Sequence, residues 1–400
     1  MTINITSNGK KITFHIIANA AFGTGLSGGD RIFIECARRW AKAGHSLRAY
    51  VCEEGYEMCR LNWLGNVEYV IWPAGFFRSF GFAVFYLART VRGVVETLRM
   101  DVSRVGDGAV VYSASDFWPD SVPALIFRMR NKRVKWVAGF YLFMDNPFSS
   151  VSPYKGWSKL KGLFYYLSQL PVYLVVRRFA DMVWVTSEPD RWRFIGRRLS
   201  PNRVIAVRGG VDVETPVSIP EPKEKRFDAV FIGRFHPQKG VLELVDIWKH
   251  VVQKKRDARL AIIGVGPLER ELGEKIRKYG LASNIILFGF RDGVEKLRIF
   301  KDSRVVVHPA IYDSGGMAAC EAMACGLPGV SFDLPALKTY YPKGMLKTPC
   351  FDLKVFAANI LKLLNDEKLY KKISEDALDW AKEWDWDKRA KELLNALNST

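Results

Sequence analysis

The alternation of short apolar runs with amphipathic stretches is the feature that most constrains this chain. A parallel strand buried on both faces needs an unbroken apolar run, and its parallel neighbour needs a crossover, usually a helix, in between. The N-terminal half carries that pattern, with strands expected at residues 12–20, 47–52, 67–72, 109–113, 135–140 and 182–186. Residues 30–44 are expected as the first crossover helix, with Gly44 at its C-terminal end. Residues 213–225 interrupt the pattern with Pro216, Pro220 and Pro222, which resist regular structure and mark a linker. The alternation then restarts, with strands expected at 228–232, 258–263, 285–288 and 305–308 and a last one at 329–332. Helices are expected at 240–254 and 268–279, and another is expected to begin at 315–324.

This is an α/β chain of two doubly wound parallel-sheet units. The expected division is 1–212, a linker at 213–226, a second domain at 227–380, and a C-terminal helix at 381–400. A length of 400 residues with 48% hydrophobic content gives each half enough apolar material for a core. Ligands of such sheets bind at the carboxyl ends of the strands, which here face a central cleft between the units.

The formal charge of +18 is unevenly spread. Residues 1–212 hold 29 Lys and Arg against 16 Asp and Glu, and residues 213–400 hold 31 against 26. A basic first half attracts an anionic partner: nucleic acid, a membrane surface or a phosphate-bearing small molecule. No nucleic-acid recognition module accompanies the charge. The six cysteines form no metal-binding spacing and suit reduced, mostly buried thiols of a cytoplasmic protein. The apolar run after Lys10 and Lys11 contains His15 and Asn19, which favours a first buried strand over a signal peptide.

The segment from Tyr154 to Ala180 mixes basic and aromatic residues without a single acid. Lysines, Gln169 and Pro171 interrupt it too often for a membrane span. Two readings stand: an interfacial helix on anionic lipid, or an amphipathic helix packed on the sheet. Residues 76–100 repeat the mixture, with Phe76, Phe80, Arg78 and Arg99.

Two stretches carry chemistry. In the first, 231–240, a strand ends at Gly233 and places Arg234 and Lys239 just before a helix. Two fixed cations beside a helix N-terminus form a diphosphate site, where the charge of a leaving nucleoside diphosphate would develop. In the second, 309–329, Asp313 and Glu321 are separated by seven residues. Ser314, Gly315, Gly316 and Met317 lie between them and can turn backbone N–H groups towards an anion. Glu321 falls two turns into the following helix, where a carboxylate reaches ribose hydroxyls. His236 is either a donor contact or a surface residue.

Together these residues resemble family 4 retaining glycosyltransferases of the GT-B fold, the glycosyl transferases group 1. Gly-Arg-x4-Lys-Gly at 233–240 is similar to the family's diphosphate motif, and Asp313 with Glu321 to its paired acids, with Asp in place of the first Glu. Gly28-Gly29, Gly264-Val-Gly-Pro267 and Trp384-Asp-Trp-Asp387 resemble further family stretches in the family's order. The resemblance implies a hexosyltransferase using a UDP-sugar or GDP-sugar as substrate, with no cofactor and no metal. Arg234 and Lys239 would hold the diphosphate, Asp313 and the 315–317 amides the donor sugar, Glu321 the ribose, and Gly28 and Gly29 would approach the phosphate from the first domain. The acceptor would be a sugar or a lipid-linked or other anionic compound. The family often places a His in the first domain, and none lies between His45 and His236. Asp116, Asp120 and Asp145 are candidate replacements, Asp120 being alternatively a helix cap. A sugar-nucleotide epimerase or phosphorylase on the same fold, and a basic nucleic-acid-binding protein, are the alternatives.

Overall fold

In the computed structural model the apolar runs become strands, most with ends within two residues of those expected; the first, Thr13–Ile17, stops three residues short of Ala20. The structure describes residues 11–22, 26–62, 64–144, 146–149, 156, 158–313 and 316–399. The chain divides into two units, residues 1–145, 162–209 and 386–400 forming the first and residues 146–161 and 210–385 the second.

The first unit holds β1 (Thr13–Ile17), β2 (Ser46–Val51), β3 (Glu68–Ile71), β4 (Val110–Ser113), β5 (Lys135–Gly139), β6 (Met182–Val185) and β7 (Val204–Ala206). They form one parallel sheet in the order β3-β2-β1-β4-β5-β6-β7. The central strands are buried on both faces, so each is a continuous apolar run. One face carries Ile17, Val111, Trp136 and Val183 towards Phe127 and Val176. On the other, Phe14 stacks on Trp40 with ring centroids 4.6 Å apart.

Trp40 belongs to the helix Gly28–Lys42, which begins two residues earlier than expected because Ser27 caps it. Ser27 Oγ accepts the Asp30 N–H at 3.2 Å, and Asp30 returns a carboxylate oxygen to the Ser27 N–H at 3.0 Å. The helix ends as expected at Gly44, whose φ of +87° suits only glycine. The C-terminal helix Trp386–Asn398 packs beside it, with Trp40 Nε1 donating to the Ala390 carbonyl at 3.1 Å and Arg39 paired to Asp387. β7 was not expected; it is three residues long and flanked by Arg203 and Arg208.

The second unit holds β8 (Phe227–Ile232), β9 (Leu260–Ile263), β10 (Ile285–Gly289), β11 (Ser303–His308), β12 (Gly329–Phe332) and β13 (Met345–Thr348). All are parallel, in the order β10-β9-β8-β11-β12-β13. Alternate residues divide between two cores. Ala229, Phe231, Val305 and Val307 meet the helices Val241–Lys254 and Leu353–Asn365. Val230 and Val306 meet Ala319, Tyr341 and Trp384 on the opposite face.

Several expectations are corrected here. Residues 329–332 are not the last strand, because Met345–Thr348 adds an edge strand despite Lys347 in its middle. The linker contains one helical turn, Thr215–Ser218, since Pro216 near a helix start loses no hydrogen bond. The helix expected from 315 begins at Met317. Residues 210–212 stay with the second unit, where Val211 N donates to the Trp384 carbonyl at 2.7 Å.

Candidate functional site

In the second unit the strand order reverses between β8 and β11, so the segments leaving their carboxyl ends open a crevice for a ligand. Those segments, 233–240 and 309–317, contain most of the residues singled out in the sequence. They are bound to each other: Ile311 N donates to the Gln238 carbonyl at 3.0 Å. Gly240, at φ +64°, lies so close that an added Cβ would stand 1.9 Å from the Pro309 oxygen. On the other flank Phe235 N donates to the Val265 carbonyl at 3.0 Å. Gly264, at φ +143°, presses on Gly233, where a Cβ would stand 2.0 Å from the carbonyl oxygen. The loop bearing Arg234 and Lys239 is therefore gripped from both sides by backbone, which only glycine permits.

The side chains follow from this clamp. Lys239 Nζ lies 2.6 Å from Asp313 Oδ2, and His308 Nε2 lies 3.4 Å from the same oxygen. Burial pushes the Asp313 carboxyl up, but the Lys239 ammonium and His308 outweigh it and hold it at about 2. Burial lowers His308, with Asp313 opposing. Arg234 is exposed on the same loop, while His236 is half-buried and caps the turn Pro237–Lys239. Gly316 is packed against Tyr341, whose ring an added Cβ would approach to 2.7 Å. Met317 opens the helix Met317–Met323, and Ser314 and Gly315 lie outside the described residues. Glu321 sits on that helix with Oε2 3.1 Å from Lys296 Nζ, and Lys296 also reaches Asp292 Oδ1 at 2.6 Å.

Sequence reasoning missed His308 and Lys296. His308 is a lone histidine at a strand end. Lys296, on the helix Gly293–Lys301, is one lysine among several in a charged stretch. No spacing separates either from its neighbours; only its contact with Asp313 or Glu321 does.

The sheet of the first unit reverses between β1 and β4 in the same way. Asp120 is buried there and is not the cap of the helix Trp118–Arg130, because it lies inside the first turn. Its oxygens instead tie two strand exits together, accepting the Ala20 N–H at 2.7 Å and the Ser115 hydroxyl at 2.5 Å. Arg89, also buried, donates to the Ala20 carbonyl at 3.0 Å. Asp116 is half-buried, and Gln169 Nε2 donates to its Oδ2 at 2.8 Å. Burial pushes Asp116 up to about 6 and Asp120 up to about 7. Gly28 and Gly29 form the first turn of their helix, and a Cβ on Gly29 would come 2.8 Å from the Tyr141 ring. Asp145 lies outside the described residues.

A raised acid favours folding fully below its unfolded value near 4 and loses that contribution as pH rises through about 7. The wild type should therefore lose on the order of 4 kcal/mol between pH 4 and 8 through Asp120. Asp120→Asn should remove that slope. Thermal midpoints of both proteins across this range test it; parallel curves would mean that Arg89 already compensates the carboxylate.

The fold has many solved relatives. HepE of Anabaena, in complex with UDP and glucose, superposes with a TM-score of 0.70 at 15% identity, over 98% of this chain and 100% of that one. Sucrose-phosphate synthase from Thermosynechococcus elongatus gives 0.72 at 16% identity, over 97% and 99%. Both matches show two Rossmann-like units of GT-B type. In sequence, an uncharacterized glycosyltransferase of Methanocaldococcus jannaschii is 30% identical over 220 residues, 45% of this chain and 53% of its own. The phosphatidyl-myo-inositol mannosyltransferase of Mycobacterium leprae is 27% identical over 198 residues, 48% and 52% respectively. The chain thus spans about half the length of the curated relatives it matches. Residues 214–380, which lie in the second unit, match the family model Glycosyl transferases group 1.

Proposed function

We propose that the protein transfers a hexosyl residue from a nucleoside diphosphate sugar to an acceptor, with retention of anomeric configuration as in the family 4 enzymes it resembles. The observation that carries this reading is the clamped loop at the β8/β11 reversal, which presents Arg234 to solvent and Lys239 beside Asp313. Both cations face charge that grows on the diphosphate as the glycosidic bond breaks. They are fixed beforehand, so the transition state is stabilised without reorganisation. Asp313 neutralises Lys239. When the diphosphate takes over that ammonium, Asp313 is released to accept a hydroxyl of the donor sugar, next to the Gly316 and Met317 backbone. Glu321, held by Lys296, is assigned the ribose hydroxyls. The UDP and glucose bound by the Anabaena protein support this class of donor.

The first unit is assigned the acceptor. Asp116, half-buried and oriented by Gln169, is its polar partner in this reading. Asp120 is not, since both its oxygens serve the backbone and Ser115. Gly28 and Gly29 are assigned the approach to the donor phosphate. A lipid-linked or anionic acceptor matches the basic excess of residues 1–212, and peripheral contact with an anionic membrane through the segment Tyr154 to Ala180, on its cytoplasmic side, belongs to the same reading.

Calorimetry with UDP, GDP and ADP tests the donor site. Saturable binding of one nucleotide is expected, weakened by roughly 2 kcal/mol in Arg234→Ala, the loss typical of a charged hydrogen bond. Failure of all three to bind would remove the donor site. Anomeric inversion in the product would overturn the retaining mechanism.

A further inference from the structure

Two donors face one oxygen in the second unit, and only one of them bonds it well. Lys239 Nζ lies 2.6 Å from Asp313 Oδ2. His308 Nε2 stands 3.4 Å from the same oxygen, longer than the usual N–H···O bond of about 2.7–3.2 Å. That nitrogen is buried and makes no hydrogen bond among the described residues. Buried polar atoms are nearly always hydrogen-bonded, so this one needs a reason. Its protonation follows from the same contact. Burial lowers His308, and Lys239 and Lys347 lower it further against the pull of Asp313, so the ring is neutral. A bare Nε2 would turn its lone pair towards a carboxylate oxygen, so the single ring proton belongs on Nε2.

The two donors differ in how they are held. Lys239 ends a turn and its side chain is 30% exposed, so an incoming phosphate can draw the ammonium aside. His308 is the last residue of β11, between β8 and β12, and its side chain is 4% exposed. It shares the face of Val306, where the Tyr341 ring meets it edge-on with centroids 6.1 Å apart. The imidazole therefore stays in place when the ammonium leaves. An ionised Asp313 would then lack its counter-ion in a site where its side chain is only 11% exposed. A small rotation of the carboxyl would bring Oδ2 within bonding distance of the waiting N–H.

We propose that His308 is a positioning residue for sugar transfer: as the donor diphosphate draws Lys239 off Asp313, the Nε2–H of His308 takes over Oδ2 and keeps the carboxylate in place for the donor sugar. The proposal rests on the donor reading above, but the exchange of partners is tested without any sugar nucleotide.

The test is NMR of the imidazole nitrogens and their protons in the full chain, with histidine alone isotope-labelled. The chain has five histidines, and His308→Gln identifies the signal of interest. In the wild type the ring is expected to be neutral with its proton on Nε2. In Lys239→Ala that proton should move downfield as its bond to Asp313 tightens. Adding Asp313→Asn should reverse the shift, because an amide accepts more weakly than a carboxylate. Whichever of UDP, GDP and ADP binds the wild type should move the proton as Lys239→Ala does. In turnover His308→Phe should lower kcat about ten- to a hundredfold, with KM for the nucleotide sugar changed less than about twofold. His308→Gln, which keeps an N–H near the place of Nε2, should restore most of it. A proton on Nδ1, or an Nε2 proton unmoved by Lys239→Ala or by a bound nucleotide, would overturn the proposal. If Lys239→Ala moved the proton and none of the three nucleotides bound, the donor reading would fall and His308 would remain the second partner of Asp313.

Discussion

Replacing Lys239 by Ala is expected to lower sugar transfer by roughly a hundred- to a thousandfold, the usual effect of deleting one preorganised electrostatic donor. The measurement is kcat/KM with whichever nucleotide sugar the calorimetry identifies. The same substitution leaves Asp313 with His308 and without its ammonium. Its side chain is 11% exposed and that of Lys239 is 30% exposed, so breaking the pair should cost about 1–3 kcal/mol, below the range for fully buried pairs. The sign with pH is also defined. In the wild type the Asp313 pKa is depressed to about 2, so its contribution is present above about 4 and is lost as pH falls from there to about 2. Without Lys239, burial dominates and the carboxyl moves upward, so the variant should gain stability on acidification where the wild type loses it. Lys239→Ala combined with Asp313→Asn should recover the stability and not the activity. If the double variant regained transfer, Lys239 would be a structural counter-ion and nothing more.

Gly264→Ala is expected to be among the most damaging single substitutions in the protein, lowering stability by more than about 4 kcal/mol. Two effects coincide. At φ +143° an alanine is strained by about 1–3 kcal/mol, and its Cβ would stand 2.0 Å from the Gly233 oxygen, a backbone atom with no rotamer to escape into. Urea unfolding of the variant measures this. Gly273→Ala is the contrast, because that glycine lies in the helix Glu269–Lys278 and an added Cβ meets only the flexible end of Arg277, at 3.6 Å. It should stabilise by up to about 1 kcal/mol. Equal effects at the two positions would show that the clamp on the Arg234 loop is loose, and the argument for a preorganised site would weaken with it.

The sequence made the strand runs legible because parallel strands buried on both faces cannot hide their apolar character. Two strands were missed for other reasons: β7 is only three residues long, within an apolar run of four between Arg203 and Arg208, and β13 has Lys347 inside it. Lys347 is tolerated because its Nζ donates to Ser331 Oγ at 3.1 Å and its ammonium lies over the Tyr341 ring. The backbone of the site was legible for a related reason. Glycines needed for close approach, and cations at a fixed offset from a strand end, leave a pattern in one stretch of chain. Contacts between distant stretches leave none. His308 beside Asp313 and Lys296 beside Glu321 became visible only when the fold brought β11 and the helix Gly293–Lys301 to the same place. Asp120 shows the opposite error, since a helix-start acid reads as a cap until its carboxylate is seen bridging two strand exits.

The placement of the helix Trp386–Asn398 in the first unit also bears on how the protein is made. A ribosome releases the strands of the first sheet early, yet the indole N–H of Trp40 has no Ala390 carbonyl to meet until the helix Trp386–Asn398 has been made. The second unit, made of residues 146–161 and 210–385, can close before then. The first unit is thus completed after the second, against the usual N-to-C order of domain folding. Deleting the helix Trp386–Asn398 would therefore injure the first unit rather than the second.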